Sequence, residues 1–341
     1  MTTPAPEEVN ATNDVGNHYE SDISDAMLIT TFVISAIMSC IGALGNTLAI
    51  AAIILHKKLR AVHNVFIINL AVTDLLVNLI TGPFAIVGAI TRGSFFHERG
   101  WFCEFLAVLN IMCCAASIGS ILSIAVERYI IICYNHKHAQ IYNRVTIPFY
   151  VAVIWLYAFL MDMPNYQFIG WSRHYFDPET LVCSWDLLKA HASGYMWYLY
   201  VCCYGVPLPV MILCFCYIRI YSYARKSSFN SSGCESATKI KSADKLVLKM
   251  VLRVMIVFNV MWSPYAAAVM LVGYIDVPVW VMFLSSYMVW ANSSINFIIY
   301  AFSKDFRDAY IIVKNTLLGR KIVFVQQLPN TISTGASVVN S

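Results

Sequence analysis

Charged residues are scarce in this sequence. Asp, Glu, Lys and Arg make up 12% of its 341 residues, about half the fraction of an ordinary soluble chain. Hydrophobic residues make up 59%. Such a chain needs lipid over much of its surface, which excludes soluble, fibrous and disordered proteins. The net charge of +4 is too small to indicate nucleic-acid binding, so we expect no nucleic-acid partner.

The sequence also lacks the residue sets of an enzyme or a transporter. All eight histidines lie in loops or at the edges of apolar segments, so they offer no buried set of metal ligands. We therefore expect no catalytic residues and no enzyme activity. Secondary transporters are built from internal repeats with paired broken helices, and the apolar segments have no such repeat. A transporter is the best alternative from another class of protein, but the sequence disfavours it.

Seven apolar segments approach or exceed the length of about 20 residues that a helix needs to cross a bilayer. They are residues 27–55, 64–91, 101–126, 145–161, 192–218, 254–275 and 277–303. Their irregular lengths exclude a β-barrel, which needs short alternating strands. We predict an all-α fold, with an N-terminal tail over 1–26 and a seven-transmembrane helix bundle over 27–303.

Positive charges lie mostly on one side of these segments. If the N-terminus is outside, 19 of the 23 Lys and Arg residues fall on the inner side and four on the outer side. Cytoplasmic loops carry the excess of Lys and Arg in membrane proteins. We therefore expect a multi-pass plasma-membrane protein with an extracellular N-terminus. The sequon at Asn10 would then be open to glycosylation.

Polar side chains at bilayer depth are costly and indicate functional sites. Asp74 lies in the middle of the second segment, Ser117 in the third, and Asn292 and Asn296 in the seventh. A carboxylate among hydroxyl and amide oxygens suits a small hard cation such as sodium. The alternative is that these groups only hydrogen-bond one helix to another. From their chemistry alone, the two interpretations have about equal weight.

A charged motif, Glu127-Arg128-Tyr129, ends the third segment at the inner face. Asp244, at the inner start of the sixth segment, is a suitable partner for Arg128. A pair between them would hold the inner face closed. The alternative is an arginine that only extends to the membrane edge.

Proline interrupts the sixth segment in the motif Trp262-Ser-Pro264. Because proline lacks a backbone N–H group, it predicts a kink at this point. The kink would convert a small movement in the outer half of the helix into a larger swing of the inner end. The alternative is a kink that serves packing alone.

Two of the eleven cysteines, Cys103 and Cys183, lie on the predicted outer side. Cysteines in an oxidising compartment form disulfides. We expect a disulfide that pins the second outer loop over the mouth of the bundle. The alternative is a pair of free extracellular thiols.

Together, the motifs resemble those of rhodopsin-like (class A) G protein-coupled receptors over residues 27–315. Each motif is modest alone, but the set follows the family order along all seven segments. The motifs are Gly45-Asn46, Asn69-Leu-Ala-Val-Thr-Asp74, Glu127-Arg128-Tyr129, Trp155, Pro209 with Tyr217, Trp262-Ser-Pro264, and Asn296-Phe-Ile-Ile-Tyr300. The resemblance also implies an amphipathic eighth helix over 304–318 and a cytoplasmic tail over 319–341.

The resemblance assigns roles to two groups of residues. No covalent cofactor is implied, but an allosteric sodium ion would bind the following residues: Asp74, Ser117, Asn292 and Asn296. The activation switch would consist of Arg128, Asp244, Tyr217, Tyr300, Ile118, Pro209 and Phe258. The last three of these would repack on activation, and the two tyrosines would support the arginine after it leaves Asp244.

The sequence resembles two branches of the family, melatonin receptors and opsins. Phe297 replaces the proline of the last motif, as in melatonin receptors, and Gly170-Trp-Ser-Arg173 resembles opsins. The lysine that binds retinal in opsins is replaced by Trp290, so we expect no covalent photopigment. A melatonin-like receptor and an opsin-related receptor without covalent retinal remain alternatives. Asn110 replaces the aspartate of the third helix that binds biogenic amines, which disfavours an amine receptor.

The resemblance implies a largely aromatic ligand cavity in the outer half of the bundle. Its residues would be Asn110, Ile111, Cys114, Asn165, Trp185, Trp262, Tyr265, Ser286, Tyr287 and Trp290, with Phe84 nearby. Such a wall suits a small, flat, mostly apolar molecule with one or two hydrogen-bonding groups, although any single aromatic residue could serve packing alone. The other expected partners are a heterotrimeric G protein, arrestin and membrane lipid.

Overall fold

The computed structural model of the protein describes residues 24–61, 64–165, 172–187, 192, 207–230 and 242–319. The predicted glycosylation site, Asn10, lies outside these residues. The side chains of Pro209 and Asp244 also lie outside the described part, although both positions are helical. Their predicted roles in the switch therefore stay predictions.

Eight helices define the architecture of the described part of the chain. They are α1 (Asp25–Leu55), α2 (Asn64–Ile90), α3 (Gly100–Cys133), α4 (Thr146–Asp162), α5 (Pro207–Asn230), α6 (Ser242–Leu271), α7 (Val279–Tyr300) and α8 (Lys304–Leu317). Two shorter helices, Ser94–His97 and Asn135–Ile141, lie in the loops that follow α2 and α3. We call the second of these the inner-loop helix.

Four of the described helices are long and apolar enough to cross a membrane on their own. They are α1, α2, α3 and the Leu252–Leu271 part of α6. The inner-loop helix and α4 pass the same test together, although the chain bends by 75° between them. The seventh helix, α7, is not among these four, and polar residues interrupt its apolar face.

The inner end of α3 lies further along the chain than its charges indicate. We expected this segment to end at residue 126, but α3 continues to Cys133. The side chains of Glu127 and Arg128 are buried and bonded to each other, so the helix has no need to leave the protein interior there. The apolar segment therefore covers the part of α3 before this charged pair, and the helix itself extends seven residues beyond it, from residue 126 to Cys133.

A β-hairpin covers part of the outer side and adds two strands to the predicted all-α fold. Strand β1 (His174–Asp177) pairs antiparallel with β2 (Val182–Trp185), with His174 opposite Trp185. Asp177 closes the turn by accepting hydrogen bonds from the Thr180 hydroxyl at 2.6 Å and the Glu179 N–H at 2.9 Å. Burial raises the pKa of the Asp177 carboxyl above its ordinary value despite these two donors.

The sixth helix contains an internal proline, whereas the seventh helix contains none. Pro264 lies inside α6, and the helix continues beyond it to Leu271. In α7, Phe297 occupies the position where the family motif has proline, and the helix runs without a break from Val279 to Tyr300. The Phe297 ring lies directly over Gly45 of α1, and a Cβ atom on Gly45 would overlap with the ring. This contact brings α1 and α7 close together.

A wide helical turn, Val77–Thr81, divides α2 into two regular parts. Asn78 lies in this turn and donates a hydrogen bond to the Asp74 carbonyl at 2.7 Å. Its side-chain oxygen accepts a bond from the Ser294 hydroxyl of α7 at 2.8 Å. Turns of this kind occur frequently at functional sites, and this one directly follows Asp74.

The amphipathic helix α8 packs along the inner end of α1. Its buried face includes Phe306, Ala309 and Val313, which join the main hydrophobic core. The Tyr310 hydroxyl donates to the Phe297 carbonyl at 3.1 Å, which ties α8 to the end of α7. The predicted eighth helix is therefore present, and it ends at Leu317.

Candidate functional site

The predicted sodium-binding residues of α2 and α7 lie together in the interior. Asp74 is fully buried, and the Asn296 amide donates to its Oδ2 at 2.8 Å. Three acceptor oxygens have no hydrogen-bond partner within the described structure: Asp74 Oδ1, Asn292 Oδ1 and Asn296 Oδ1. Such oxygens are the ligands that a hard cation prefers. The chemistry of the set therefore fits sodium.

Ser117 reaches this region through a hydroxyl pair. Its Oγ lies 2.8 Å from Thr73 Oγ1, one residue before Asp74, and the Thr73 hydroxyl also donates to the Leu70 carbonyl. Ser117 is 4% exposed. The structure thus places a hydroxyl of α3 beside the stretch of α2 that carries the carboxylate, as the resemblance implies.

A second polar network, which the sequence analysis missed, joins α1, α2 and α7. The Asn46 amide donates to the Ser293 carbonyl at 2.9 Å, and the Asn78 amide lies 3.3 Å from the same oxygen. A Cβ atom on Gly42 would overlap with the Asn78 side chain. The cue that could have revealed this network is the presence of Asn78 and Ser294 at bilayer depth.

At the inner face, the described partner of Arg128 is its neighbour Glu127. One Glu127 carboxylate oxygen accepts a hydrogen bond from Arg128 Nε at 2.6 Å and lies 2.5 Å from Nη2 in the same ion pair. Its second oxygen lies 2.7 Å from Nε2 of His138 in the inner-loop helix. The carboxylate therefore fixes both the arginine of α3 and the following loop.

The His138 ring stacks on Tyr142, with 5.4 Å between ring centroids. Tyr142 in turn meets Phe66 of α2 edge-on at 6.4 Å. These contacts extend the Glu127 network to the second helix. No motif in the sequence pointed to His138, because a histidine in a loop gives no pattern by itself.

Four of the predicted switch residues lie in the main hydrophobic core or against it. Ile118 and Phe258 are buried in it, and Tyr217 packs against it. Tyr300 is 1% exposed and contacts Phe306 of α8, with 5.3 Å between ring centroids. Phe258 stacks on Trp262 at 5.3 Å, which links the core to a residue of the predicted ligand cavity.

A disulfide joins Cys103 in the first turn of α3 to Cys183 in β2. The Cα atoms are 5.3 Å apart, and the bridge spans 80 positions of the chain. It holds the hairpin against the outer end of α3. The predicted disulfide is confirmed, and the alternative of two free thiols is excluded.

In the outer half of the bundle, the predicted ligand-binding residues form several small groups. Tyr265 lies near Trp185 in the hairpin. Trp290 contacts Tyr287 at 5.7 Å between ring centroids. Within the described residues, Asn110 Oδ1, Trp262 Nε1 and Trp290 Nε1 are buried and have no hydrogen-bond partner. Two further members, Ile111 and Cys114, are partly buried in α3.

Three of the residues predicted to line the ligand cavity already have partners within the protein. The Tyr287 hydroxyl lies 3.2 Å from Thr31 Oγ1, and the side chain is 3% exposed. The Ser286 hydroxyl donates to the Phe283 carbonyl at 2.8 Å. Phe84 packs edge-on against Phe102, with 4.7 Å between centroids. This geometry gives these three side chains packing roles, and ligand contact by them stays a prediction.

Comparison with known proteins identifies the family. The model described as "7 transmembrane receptor (rhodopsin family)" matches residues 45–300, which is about three quarters of the chain. The chain belongs to the rhodopsin family of seven-transmembrane receptors. Rhodopsin-family receptors are multi-pass membrane proteins and are not enzymes, which confirms both expectations for this chain.

Relatives of this rhodopsin-family receptor include members of the two branches that the motifs indicate. Human melanopsin is 28% identical over 258 residues, covering 72% of this chain and 52% of melanopsin. The sheep melatonin receptor type 1A is 27% identical over 307 residues, covering 88% of this chain and 79% of the relative. The chain thus spans about half the length of the melanopsins that it matches.

A solved structure supports the fold of the rhodopsin-family bundle. The crystal structure of squid rhodopsin aligns with a TM-score of 0.74 at 21% sequence identity, and the alignment covers 87% of both chains. At this identity the similarity shows the fold alone. In this chain, no lysine lies between Lys249 and Lys304, so α7 lacks the side chain that would form a Schiff base with retinal.

Proposed function

We propose that the protein is a plasma-membrane receptor with an extracellular N-terminus. In this proposal, the receptor binds a small aromatic ligand in the outer half of its helix bundle and activates a heterotrimeric G protein. Membership of the rhodopsin family supports a ligand and a G protein as partners. The observation that carries the proposal is the set of buried polar atoms without partners in the described part of the outer half: Asn110 Oδ1, Trp262 Nε1 and Trp290 Nε1. Burying such atoms unsatisfied is costly, and a ligand would satisfy them.

Activation in this proposal is a shift between two conformations. A ligand that binds the open bundle more tightly than the closed one moves the equilibrium by its differential affinity. Trp262 and Phe258 are stacked, so movement of one ring requires the other to repack. Outward movement of α6 would then free Arg128 for Tyr217 and Tyr300, and open an inner cleft for the G protein. Arrestin would use the same cleft, and membrane lipid would cover α8.

The experiment that tests this function is nucleotide exchange on purified G proteins by the receptor in lipid nanodiscs. The probes are melatonin, tryptamine, retinal and a lysophospholipid, each in darkness and in light. We expect at least one probe to raise exchange several-fold, and Arg128→Ala to abolish the response. Exchange that no probe raises above the level of Arg128→Ala would contradict the proposal. A light response that requires retinal would favour the opsin-related alternative and overturn the argument from the missing lysine.

We also expect sodium to stabilise the receptor. Replacing choline with sodium at equal ionic strength should raise the melting temperature by a few degrees, because a ligand at ten times its Kd adds about 1.4 kcal/mol. Asp74→Asn should abolish this shift, since it removes the carboxylate charge. Asp305→Asn, an exposed position in α8, is the matched control and should keep the shift. An equal sodium shift in wild type and Asp74→Asn would contradict the ion site.

A further inference from the structure

A buried polar cluster lies at the outer end of α4, beneath the hairpin. Asp162, the last residue of α4, is fully buried, and Asn165 in the following turn is 1% exposed. The Asn165 amide nitrogen donates to Asp162 Oδ1 at 2.9 Å. Nε2 of His174, in β1, lies 3.2 Å from the same oxygen. We call Asp162, Asn165 and His174 the outer acid cluster.

Two acceptor oxygens of this cluster have no hydrogen-bond partner within the described structure. They are Asp162 Oδ2 and Asn165 Oδ1, and both are inaccessible to solvent. The orientation of the Asn165 amide is fixed chemically, because an ionised carboxylate accepts hydrogen bonds and only the amide nitrogen can donate one. The Asn165 carbonyl oxygen is therefore a second acceptor in the same cluster. Leaving two such oxygens unpaired is costly.

The charge of this region is negative. Glu104 of α3 lies with Oε1 3.9 Å from His174 Nδ1, so two carboxylates face one imidazole. The nearby cation of the loop, Arg173, is bonded to Asp186 at 3.0 Å. Glu104 is about one third exposed, whereas the Asp162 side chain is fully buried. A buried carboxylate requires a cationic or hydrogen-bonding partner to offset its lost hydration.

The hairpin connects this cluster to the predicted ligand cavity. His174 of β1 is the cross-strand partner of Trp185 in β2, and Trp185 contacts Tyr265 of α6. The disulfide at Cys183 holds β2 against α3. The outer acid cluster is thus one strand away from two residues of the predicted cavity wall, and Asn165 itself belongs to the predicted set.

We propose that the outer acid cluster binds the protonated amino group of an aromatic amine, with N–H bonds donated to Asp162 Oδ2 and Asn165 Oδ1. This inference rests on the proposed function and assigns its ligand a chemical class. An ammonium group supplies both the donors and the charge that the two oxygens lack. The aromatic part would lie against the tryptophans of the cavity. Asp162 of α4 would thereby supply the carboxylate for the amine, since Asn110 stands in α3 where amine receptors have an aspartate.

The test compares two probes with the same indole-ethyl skeleton, tryptamine, which carries a protonated amine, and N-acetyltryptamine, which carries a neutral amide in its place. Their affinities are measured by ligand-observed NMR on the full-length receptor in nanodiscs. We expect wild type to bind tryptamine at least tenfold more tightly than N-acetyltryptamine. Asp162→Asn, which keeps the size of the side chain, should reduce this preference to less than twofold. Glu98→Gln removes an exposed outer charge and serves as the matched control, with the preference unchanged.

Folding of the variant is checked by its melting curve. If Asp162→Asn is not recovered folded, Asn165→Ala decides, since it keeps the carboxylate and should weaken tryptamine binding at least threefold. Equal affinity for the two probes, tighter binding of the neutral one, or no binding of either would overturn the inference. So would a preference that survives Asp162→Asn. Nucleotide exchange driven by N-acetyltryptamine or another neutral probe would leave the proposed function standing while the amine assignment fails.

Discussion

Replacing Glu127 with alanine is expected to raise ligand-independent nucleotide exchange several-fold and to lower the free energy of unfolding by about 3–5 kcal/mol. The Glu127 carboxylate accepts a hydrogen bond from Nε of the buried Arg128, pairs with its guanidinium charge and also contacts His138 of the inner-loop helix. Removing one partner of a buried ion pair takes a compensating charge away from the other. The closed inner face loses an anchor, and the equilibrium shifts towards the open state.

Two further variants test whether the effect is specific to Glu127 and how much of it depends on the contact with His138. Glu98→Ala breaks an exposed ion pair with Arg99 and should cost no more than about 1 kcal/mol, with basal exchange unchanged. His138→Phe keeps an aromatic ring over Tyr142 but removes the bond to Glu127, so we expect an intermediate rise in exchange. The measurements are exchange without ligand and thermal unfolding of the purified receptor. Wild-type exchange and stability in Glu127→Ala would exclude the carboxylate as an anchor.

Adding a single methyl group at Gly45 is expected to destabilise the receptor by about 1–3 kcal/mol, which is the usual cost of overpacking a core. The Phe297 ring occupies the space that the Gly45→Ala side chain would need. Gly100→Ala is the matched control, because a Cβ atom there has open space, and its stability should remain that of wild type. Thermal unfolding and the amount of receptor at the cell surface provide the measurements.

A double-mutant cycle tests whether Phe297 is the cause. Phe297→Ala alone should destabilise the protein by leaving a cavity between α1 and α7. Combined with Gly45→Ala, it should cost less than the sum of the two single changes, with a coupling of roughly 0.5–3 kcal/mol. Strict additivity would mean that the two residues do not compete for the same space.

The membrane architecture follows from the sequence because its physical causes are local. Long uncharged segments and the bias of Lys and Arg to one side depend only on the chain itself and on the bilayer. The disulfide was also predictable, since Cys103 and Cys183 are the two cysteines on the predicted outer side. The family motifs then brought Asp74, Asn292 and Asn296 into one region of the expected fold.

The features that escaped prediction depend on partners distant in sequence. The hairpin needs only four residues per strand, too few to give a clear alternating pattern. The continuation of α3 to Cys133 was not visible in the sequence, because the apolar pattern stops at the charged pair, whereas Glu127 and Arg128 pair with each other in the interior and the helix continues. Likewise, nothing near Asp162 in the sequence points to His174, which approaches it only through the folded loop.

The packing role of Phe297, which replaces the proline of the last motif, was also not predictable from the sequence. The sequence showed that Phe297 replaces it and suggested a branch of the family, but gave no physical role for the aromatic ring. The structure provides one, since the ring fills the space above Gly45 and the Phe297 carbonyl accepts the Tyr310 hydroxyl of α8. A substitution that first served as a marker of ancestry is thus also a packing element between α1, α7 and α8.

The wide turn at Val77–Thr81 affects how positions are transferred from one receptor to another. An α-helix turns by about 100° for each residue, so one additional residue in a turn redirects every later side chain by about a quarter of a revolution. In a template without this turn, Phe84 would be assigned to the wrong face of α2, although Asp74 would still be matched correctly. Mutational scans and spectroscopic labels beyond Thr81 should therefore be numbered from the outer end of the helix inward.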